Sequence, residues 1–315
     1  MDEEIKSMIV NKTWSLVPKP ENAKAIECKW IYKLKEGNSE LDPPKFKARL
    51  VAKGFRQREG IDYNEIFAPV VKYKTLRFLL ALTAVYNWEL HQMDVKTTFL
   101  HVDLNETIYM TQPKGYIDRN LPNHCCLLNR SIYGLKQSPR QWNKKFNYCM
   151  MSLGFARSNY DTCLYLRRLK HETVSYVLLY VDDILIISNS KPEITGIKTD
   201  LSKHFDMKDM GFAQKILDIK LFRDRISRKM FLSQVDYVNK VLDKFSMKHA
   251  KSTSIPLGGH LIFSKDDCPK TELEKQEMHD IPYDVVVGSV MYAMLCTRPD
   301  LGFVMDHNCT HHKYS

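Results

Sequence analysis

Residues 174–187 constrain the fold of this 315-residue chain more than any other segment. Residues 174–181 and 184–187 are two apolar, β-branched runs, and only Asp182 and Asp183 separate them. This pattern predicts a β-hairpin that carries two carboxylates at its tip. Taken alone, an Asp-Asp dipeptide is also ordinary turn chemistry, so its surroundings must decide between the two interpretations.

A third carboxylate, Asp94, lies near the end of another predicted strand, residues 88–95. If that strand neighbours the hairpin in one sheet, three carboxylates converge at one edge. Mg²⁺ prefers hard oxygen donors and also keeps substrate phosphates as ligands. Two such ions about 3.5–4 Å apart stabilise the attacking and leaving oxygens of an in-line phosphoryl displacement. The pattern therefore points to phosphoryl-transfer chemistry.

The remaining periodicity predicts an α+β fold with an antiparallel sheet. Residues 1–19 are predicted to be a helical lead-in, and Ser138 is predicted to cap a helix with Pro139 in its first turn. Ser190 is predicted to open a further helix. Other predicted strands are 26–34, 46–55, 216–222 and 229–232, and other predicted helices are 75–86 and the one that follows Ser233 and ends at Phe245. Beyond residue 256 the pattern weakens, apart from residues 283–294.

Charge suggests a polyanionic partner. The net charge is +10, and residues 129–170 contain nine Lys and Arg against one acid. Aromatic residues interleave with these cations, as they do on nucleic-acid-binding surfaces, although a solvated basic face is the alternative. An apolar content of 44% excludes a mainly disordered chain, and no apolar run is long enough to span a membrane. Because the first five residues are acidic and lack the apolar core of a signal peptide, we expect an intracellular, cytoplasmic protein.

The sequence around the aspartates resembles that of a known family. The motif Tyr-Val-Asp-Asp at 180–183 is similar to the Y-x-D-D signature of reverse transcriptases. Six further stretches resemble the Pol polyproteins of Ty1/copia-type retrotransposons, in the order of that family: KWIYKLK (29–35), KFKARLVAKGFRQREGIDYNEIFAPVVK (45–72), HQMDVKTTFL (91–100), IYMTQPKGY (108–116), SIYGLKQSPRQW (131–142) and GSVMYAMLCTRPD (288–300).

The resemblance implies a right-hand polymerase fold and an RNA-directed DNA polymerase activity. Its fingers would be residues 20–86 and 106–137, its palm 87–105 and 138–228, its thumb or connection 229–300, and its divergent tail 301–315. The implied partners are an RNA or DNA template with a primer, and a dNTP. The alternative is a non-catalytic, truncated retrotransposon remnant that at most binds nucleic acid.

The family's catalytic residues carry over to matching positions. Asp94, Asp182 and Asp183 correspond to the catalytic aspartates that hold two Mg²⁺ ions, and the Val95 carbonyl is expected to face a metal. Phe99 resembles the aromatic that stacks under the sugar and excludes a 2′-hydroxyl, although a core phenylalanine is the alternative.

The resemblance also implies nucleotide contacts. Arg49 and Lys53 resemble the cations that hold the incoming triphosphate, and Gln137 resembles a glutamine that positions the nucleotide. Weaker expectations of contact with the nucleic-acid backbone fall on four cations, for which a plain surface role is the alternative: Lys47, Arg56, Lys136 and Arg140.

Two positions depart from the family, since Val102 and Asp218 stand where it usually has glycine. If either glycine holds a positive φ, its replacement is expected to strain the backbone by about 1 kcal/mol or more. Near the end of the chain, His307, Cys309, His311 and His312 form a cluster whose spacing fits no closed zinc motif, so a divergent tail is the preferred interpretation over a metal site.

Overall fold

The computed structural model describes residues 1–21, 24–35, 44–170, 172–255, 269–279, 281–302 and 305. Within those ranges the helices are α1 (Asp2–Val10), α2 (Tyr73–Val85), α3 (Ser138–Ser152), α4 (Lys191–His204), α5 (Val235–Lys244), α6 (Glu272–His279) and α7 (Tyr283–Cys296). The strands are β1 (Trp14–Pro18), β2 (Cys28–Lys35), β3 (Lys45–Ala52), β4 (Glu89–Val95), β5 (Tyr109–Met110), β6 (His124–Leu128), β7 (Ala156–Arg157), β8 (Leu164–Arg168), β9 (Val174–Tyr180), β10 (Asp183–Ser188), β11 (Met207–Phe212), β12 (Lys215–Ile216), β13 (Ile219–Asp224) and β14 (Lys229–Ser233).

The chain divides into two compact units, residues 1–76 with 88–212 and residues 77–87 with 213–315. The first unit contains a six-stranded antiparallel sheet of order β11-β4-β10-β9-β8-β7. It also contains the sheets β1-β6-β5 and β2-β3, and the second unit contains β12-β13-β14. The predicted mixture of helices with antiparallel sheet is therefore confirmed. None of the described helices is long and apolar enough to cross a membrane.

One face of the six-stranded sheet packs against α3 and α4. Alternation along β4 and β10 places Met93, Val95, Ile184 and Ile186 on this buried face. Burying each such side chain contributes about 1.5–3 kcal/mol, so this cluster stabilises the sheet and both helices. The helices contribute to the same cluster Trp142, Phe146, Cys149 and Met150 from α3, and Ile194, Ile197 and Leu201 from α4.

Local signals explain where α4 begins. The side chain of Ser190 accepts a hydrogen bond from the backbone N–H of Glu193, and Pro192 lies in the first turn. The cap satisfies one of the four N–H groups that have no partner inside a helix. The helix that the sequence predicts from Ser190 is therefore confirmed.

Three local expectations are wrong. The predicted strand 216–222 is divided into β12 and β13 by the turn at Leu217 and Asp218. The predicted helical lead-in ends at Val10, because Trp14–Pro18 forms the strand β1, whose Pro18 is tolerated on the edge of its sheet. Ser138 is the first helical residue of α3 rather than its cap. Its buried hydroxyl donates to the carbonyl of Ile132 at 2.7 Å, and Gln137, which takes the cap position, makes no side-chain cap bond.

The two departures from the family differ in their backbone. Val102 has φ −110°, an extended conformation that costs a valine nothing. Asp218 has φ +56° and follows Leu217 at φ +50°, so these two residues form the tight turn between β12 and β13. Two-residue turns with positive φ at both positions favour glycine, particularly at the second. The expected strain therefore falls on the β12–β13 turn alone.

Replacing Asp218 by glycine should stabilise the second unit. Asp218→Gly removes the left-handed penalty and loses an exposed ion pair with Lys215, whose Nζ lies 2.6 Å from Oδ1. We expect the free energy of unfolding in urea to rise by about 0.5 kcal/mol. Asp218→Asn, which removes the charge but keeps the side chain, is the control and should leave stability unchanged. A lower stability for Asp218→Gly would contradict this account of the turn.

Candidate active site

The pairing of β4 with β10 brings two of the predicted aspartates together. Asp94 lies directly opposite Asp183 in the antiparallel register. Residues opposite each other share one face of a sheet, with Cβ atoms about 4.5–5.5 Å apart. That face is opposite to the one that packs against α3 and α4, since Met93 and Ile184 occupy the buried face. Two carboxylates therefore stand side by side at the end of β4.

The third aspartate lies in the adjoining turn. Val181 and Asp182 connect β9 to β10, so the turn holds one carboxylate and Asp183 already belongs to the strand. The backbone carbonyl of Asp182 accepts a hydrogen bond from the N–H of Val95 at 2.9 Å. The backbone therefore brings Asp94, Asp182 and Asp183 to one edge of the sheet, as the sequence predicts.

Polar neighbours that sequence reasoning missed flank this pair. Register places Lys208 of β11 opposite Asp94, and the side-chain amide of Gln92 donates to Oδ1 of Asp183 at 2.9 Å. Gln92 lies two residues before Asp94, so the alternation of side chains along a strand could have identified it from the sequence. Lys208 is distant from Asp94 in the chain, so no local sequence pattern indicates that the two are paired.

The donor types at this edge fit Mg²⁺. Carboxylates and a carbonyl are the hard oxygen ligands that Mg²⁺ takes, and the Val95 carbonyl at this edge accepts a hydrogen bond from the Thr98 hydroxyl at 3.1 Å. In the part of the chain that the structure describes, no three His, Cys, Asp or Glu side chains are close enough together to hold one ion. The backbone thus assembles the donors, and the side chains do not converge on a single point.

Two aromatic rings and a cation form a small cluster in the same unit, called here the aromatic cluster. Phe99 meets Tyr133 edge to face with ring centroids 5.0 Å apart, and the guanidinium carbon of Arg49 lies 5.5 Å from the Tyr133 centroid. Phe99 is buried and belongs to the cluster beneath the sheet, so it is a core residue, and its predicted contact with the sugar remains a prediction. Burial raises the pKa of Tyr133, and Arg49 opposes that shift. Tyr133 was missed as a site residue.

Several predicted cations have acidic partners. Lys53 pairs with Glu27 at 2.5 Å, and Arg56 contacts the same carboxylate. The hydrogen bond from Lys53 holds the pKa of Glu27 below its usual value. Arg140 pairs with Glu65.

The other two predicted cations have different surroundings. Lys136 donates to the hydroxyl of Tyr63 at 3.0 Å, whereas Lys47 is exposed on β3. Arg49 therefore lies in the aromatic cluster, and the other predicted cations lie at the surface.

Gln137 is fully buried and its amide is engaged within the protein. Its Oε1 accepts from Nε2 of Gln57 at 3.0 Å, and its Nε2 donates to the carbonyl of Asp62 at 2.9 Å. These bonds attach the loop of residues 57–62 to the start of α3. The nucleotide contact predicted for Gln137 remains a prediction, and the geometry gives this residue a structural task.

The histidine and cysteine cluster of the predicted divergent tail, which comprises His307, Cys309, His311 and His312, lies outside the described residues.

The chain belongs to the reverse transcriptase (RNA-dependent DNA polymerase) family, whose sequence model matches residues 11–258. It is 49% identical over 302 residues to the retrovirus-related Pol polyprotein from transposon TNT 1-94 of Nicotiana tabacum, covering 96% of this chain and 23% of the relative. It is 35% identical over 309 residues to the corresponding polyprotein from transposon RE1 of Arabidopsis thaliana, covering 97% and 20%. The resemblance to Ty1/copia-type reverse transcriptases is thus confirmed, and the chain spans about a fifth to a quarter of these relatives.

A solved structure of a foamy viral protease–reverse transcriptase in complex with double-stranded DNA covers 92% of this chain and 40% of its own, with a TM-score of 0.39 and 10% identity.

Replacing Gln137 by leucine should weaken folding more than nucleotide binding. Gln137→Leu removes the acceptor of the Gln57 Nε2 group and the side-chain donor to the Asp62 carbonyl, which costs about 2 kcal/mol. Gln141→Leu, on the half-buried side of the same helix, is the control and should change stability by less than about 0.5 kcal/mol. Urea unfolding measures both. A stable Gln137→Leu protein with a greatly raised KM for dNTP would instead indicate direct nucleotide contact.

Proposed function

We propose that this chain catalyses RNA-directed DNA synthesis, joining a dNTP to the 3′-hydroxyl of a primer on an RNA or DNA template. The observation that carries the proposal is the register of β4 with β10, which sets Asp94 opposite Asp183 beside Asp182 in the turn. Family membership supports the same chemistry, because the matched family is one of RNA-dependent DNA polymerases.

In this proposal the three aspartates hold two Mg²⁺ ions, with Asp182 as the most direct ligand and the Val95 carbonyl as a further one. When held by these residues, Mg²⁺ would supply charge stabilisation for the attacking hydroxyl and the leaving pyrophosphate. The protein's own contribution is to hold the carboxylates in place, with Asp94 and Asp183 on paired strands and Asp182 in the adjoining turn. Gln92 supports this by its hydrogen bond to Asp183.

The aromatic cluster of Phe99, Tyr133 and Arg49 would form one wall of the nucleotide pocket. Phe99 would lie against the sugar, where its ring leaves no room for a 2′-hydroxyl, and Tyr133 braces that ring from the side. Arg49 and Lys53 would hold the triphosphate through charge-assisted bonds, with Lys53 exchanging its contact with Glu27 for the phosphate. Gln137 would serve the nucleotide by holding the loop of residues 57–62.

The division of the chain into fingers, palm and thumb is part of the same proposal. Fingers would comprise residues 20–86 and 106–137, the palm residues 87–105 and 138–228, and a partial thumb or connection residues 229–300. Template and primer phosphates would meet the cations predicted above, of which Lys47 is exposed and Lys136, Arg56 and Arg140 contact neighbouring side chains. Each of those contacts is weak enough at a surface to yield to a phosphate.

Primer extension tests the proposal directly. The purified chain with Mg²⁺, dNTPs and a primed RNA template should extend the primer, and Asp182→Asn should lower kcat by roughly a thousandfold or more because a charged ligand is lost. Asp200→Asn, on the surface of α4 and paired with Lys203, is the control and should retain full activity. A folded parent chain that binds primer–template without extending it would favour the alternative, a non-catalytic nucleic-acid-binding remnant.

Phe99 gives a second prediction. Phe99→Val should open space beside the sugar and lower the preference for dNTP over rNTP, measured as a ratio of kcat/KM, by about tenfold to a hundredfold. Phe99→Tyr keeps the bulk and should keep the preference. Because Phe99 is buried, the melting temperature of each variant must be measured alongside. An unchanged preference in a folded Phe99→Val protein would leave Phe99 with a core role alone.

A further inference from the structure

A buried tryptophan holds the turn that carries Asp182. The indole Nε1 of Trp142 donates a hydrogen bond to the backbone carbonyl of Val181 at 2.6 Å. Trp142 lies on α3, 39 residues earlier in the chain, and only 1% of it is exposed. The bond therefore links the helix layer to the tip of the hairpin.

The turn has a reason to need this support. Val181 has φ +53°, a left-handed conformation that is rare and strained for a β-branched residue. Its carbonyl belongs to the peptide unit between Val181 and Asp182, and that unit is planar. Fixing the direction of the carbonyl therefore also fixes the direction of the Asp182 N–H, and it restrains ψ of Val181 and φ of Asp182 on either side of that unit.

The other side of Asp182 is held as well. Its own carbonyl accepts from the N–H of Val95 at 2.9 Å, across the pairing of β10 with β4. The peptide units before and after the Asp182 Cα are each restrained by a hydrogen bond from a different element. These two bonds together determine where the Asp182 side chain leaves the backbone.

Trp142 is itself immobile enough to act as a support. Its ring lies 5.1 Å from that of Phe205 and 5.7 Å from that of Phe146, in the cluster beneath the sheet. Packing alone would accept a phenylalanine or leucine at this position. A buried indole N–H needs an acceptor, and here that acceptor is the carbonyl of the turn.

We propose that Trp142 is a positioning residue for Asp182: its N–H holds the Val181 carbonyl and thereby sets the direction of the carboxylate that binds Mg²⁺. This inference rests on the proposed function for its catalytic consequence. Its structural part, the restraint of the turn, can be tested independently of activity.

The test compares three forms of the chain. Trp142→Phe removes the donor and keeps an aromatic ring, and 3-benzothienylalanine at position 142 removes the N–H while keeping the size of the indole. Phe146→Leu is the matched control, because it perturbs the same cluster without touching the turn. Two quantities are measured: hydrogen exchange of residues 93–96 and 180–183, and the Mg²⁺ concentration that gives half-maximal primer extension.

Both changes at position 142 should accelerate exchange in residues 93–96 and 180–183 selectively. They should also lower kcat and raise the half-saturating Mg²⁺ concentration, each by roughly three- to tenfold, with the KM for dNTP and the primer–template Kd unchanged. Phe146→Leu should lower the melting temperature and leave the Mg²⁺ requirement as it was.

The outcomes separate the two proposals. If the parent chain does not extend primers but the exchange result is as expected, the proposed function fails and the restraint stands. If the parent chain extends primers and both changes at position 142 leave exchange and Mg²⁺ requirement unchanged, or match Phe146→Leu in both, the role of Trp142 is overturned.

Discussion

The antiparallel register of β4 with β10 is the interaction on which the site depends. Side chains alternate along a strand, so a slip of one residue would turn Asp94 toward the core and Met93 toward the solvent edge. The slip is prevented by the apolar residues on the opposite face, where Met93 and Ile184 pack against α3 and α4. The position of the acidic pair is thus set by the free energy of burying its neighbours.

The layer formed by α3 and α4 does more than bury the apolar side chains of the sheet. Through Trp142 it reaches the strained turn at Val181, and through the start of α3 it holds the loop of residues 57–62 by way of Gln137. A single helix therefore supports two separate parts of the proposed site. Trp142 and Gln137 are uncharged, so replacing either is expected to shift a part of the site without changing its charge.

Local sequence patterns predicted much of this arrangement. Alternation and the Asp-Asp interruption identified the β9–β10 hairpin, and the apolar run before Asp94 identified β4. What local patterns could not provide were contacts between distant segments. The bond from Gln137 to Asp62 and the pairing of Phe99 with Tyr133 both join residues whose proximity appears only once the chain has folded.

Metal-directed cleavage tests the central claim most directly, namely that Asp94 and the Asp182–Asp183 pair form one metal centre. Fe²⁺ substituted for Mg²⁺, with ascorbate and peroxide, cuts the backbone close to where the ion binds, and mass spectrometry locates the cuts. The account predicts cuts near both Asp94 and Asp182 that excess Mg²⁺ suppresses and that Asp182→Asn removes from both segments. Cuts confined to one segment, or unaffected by Asp182→Asn, would contradict it.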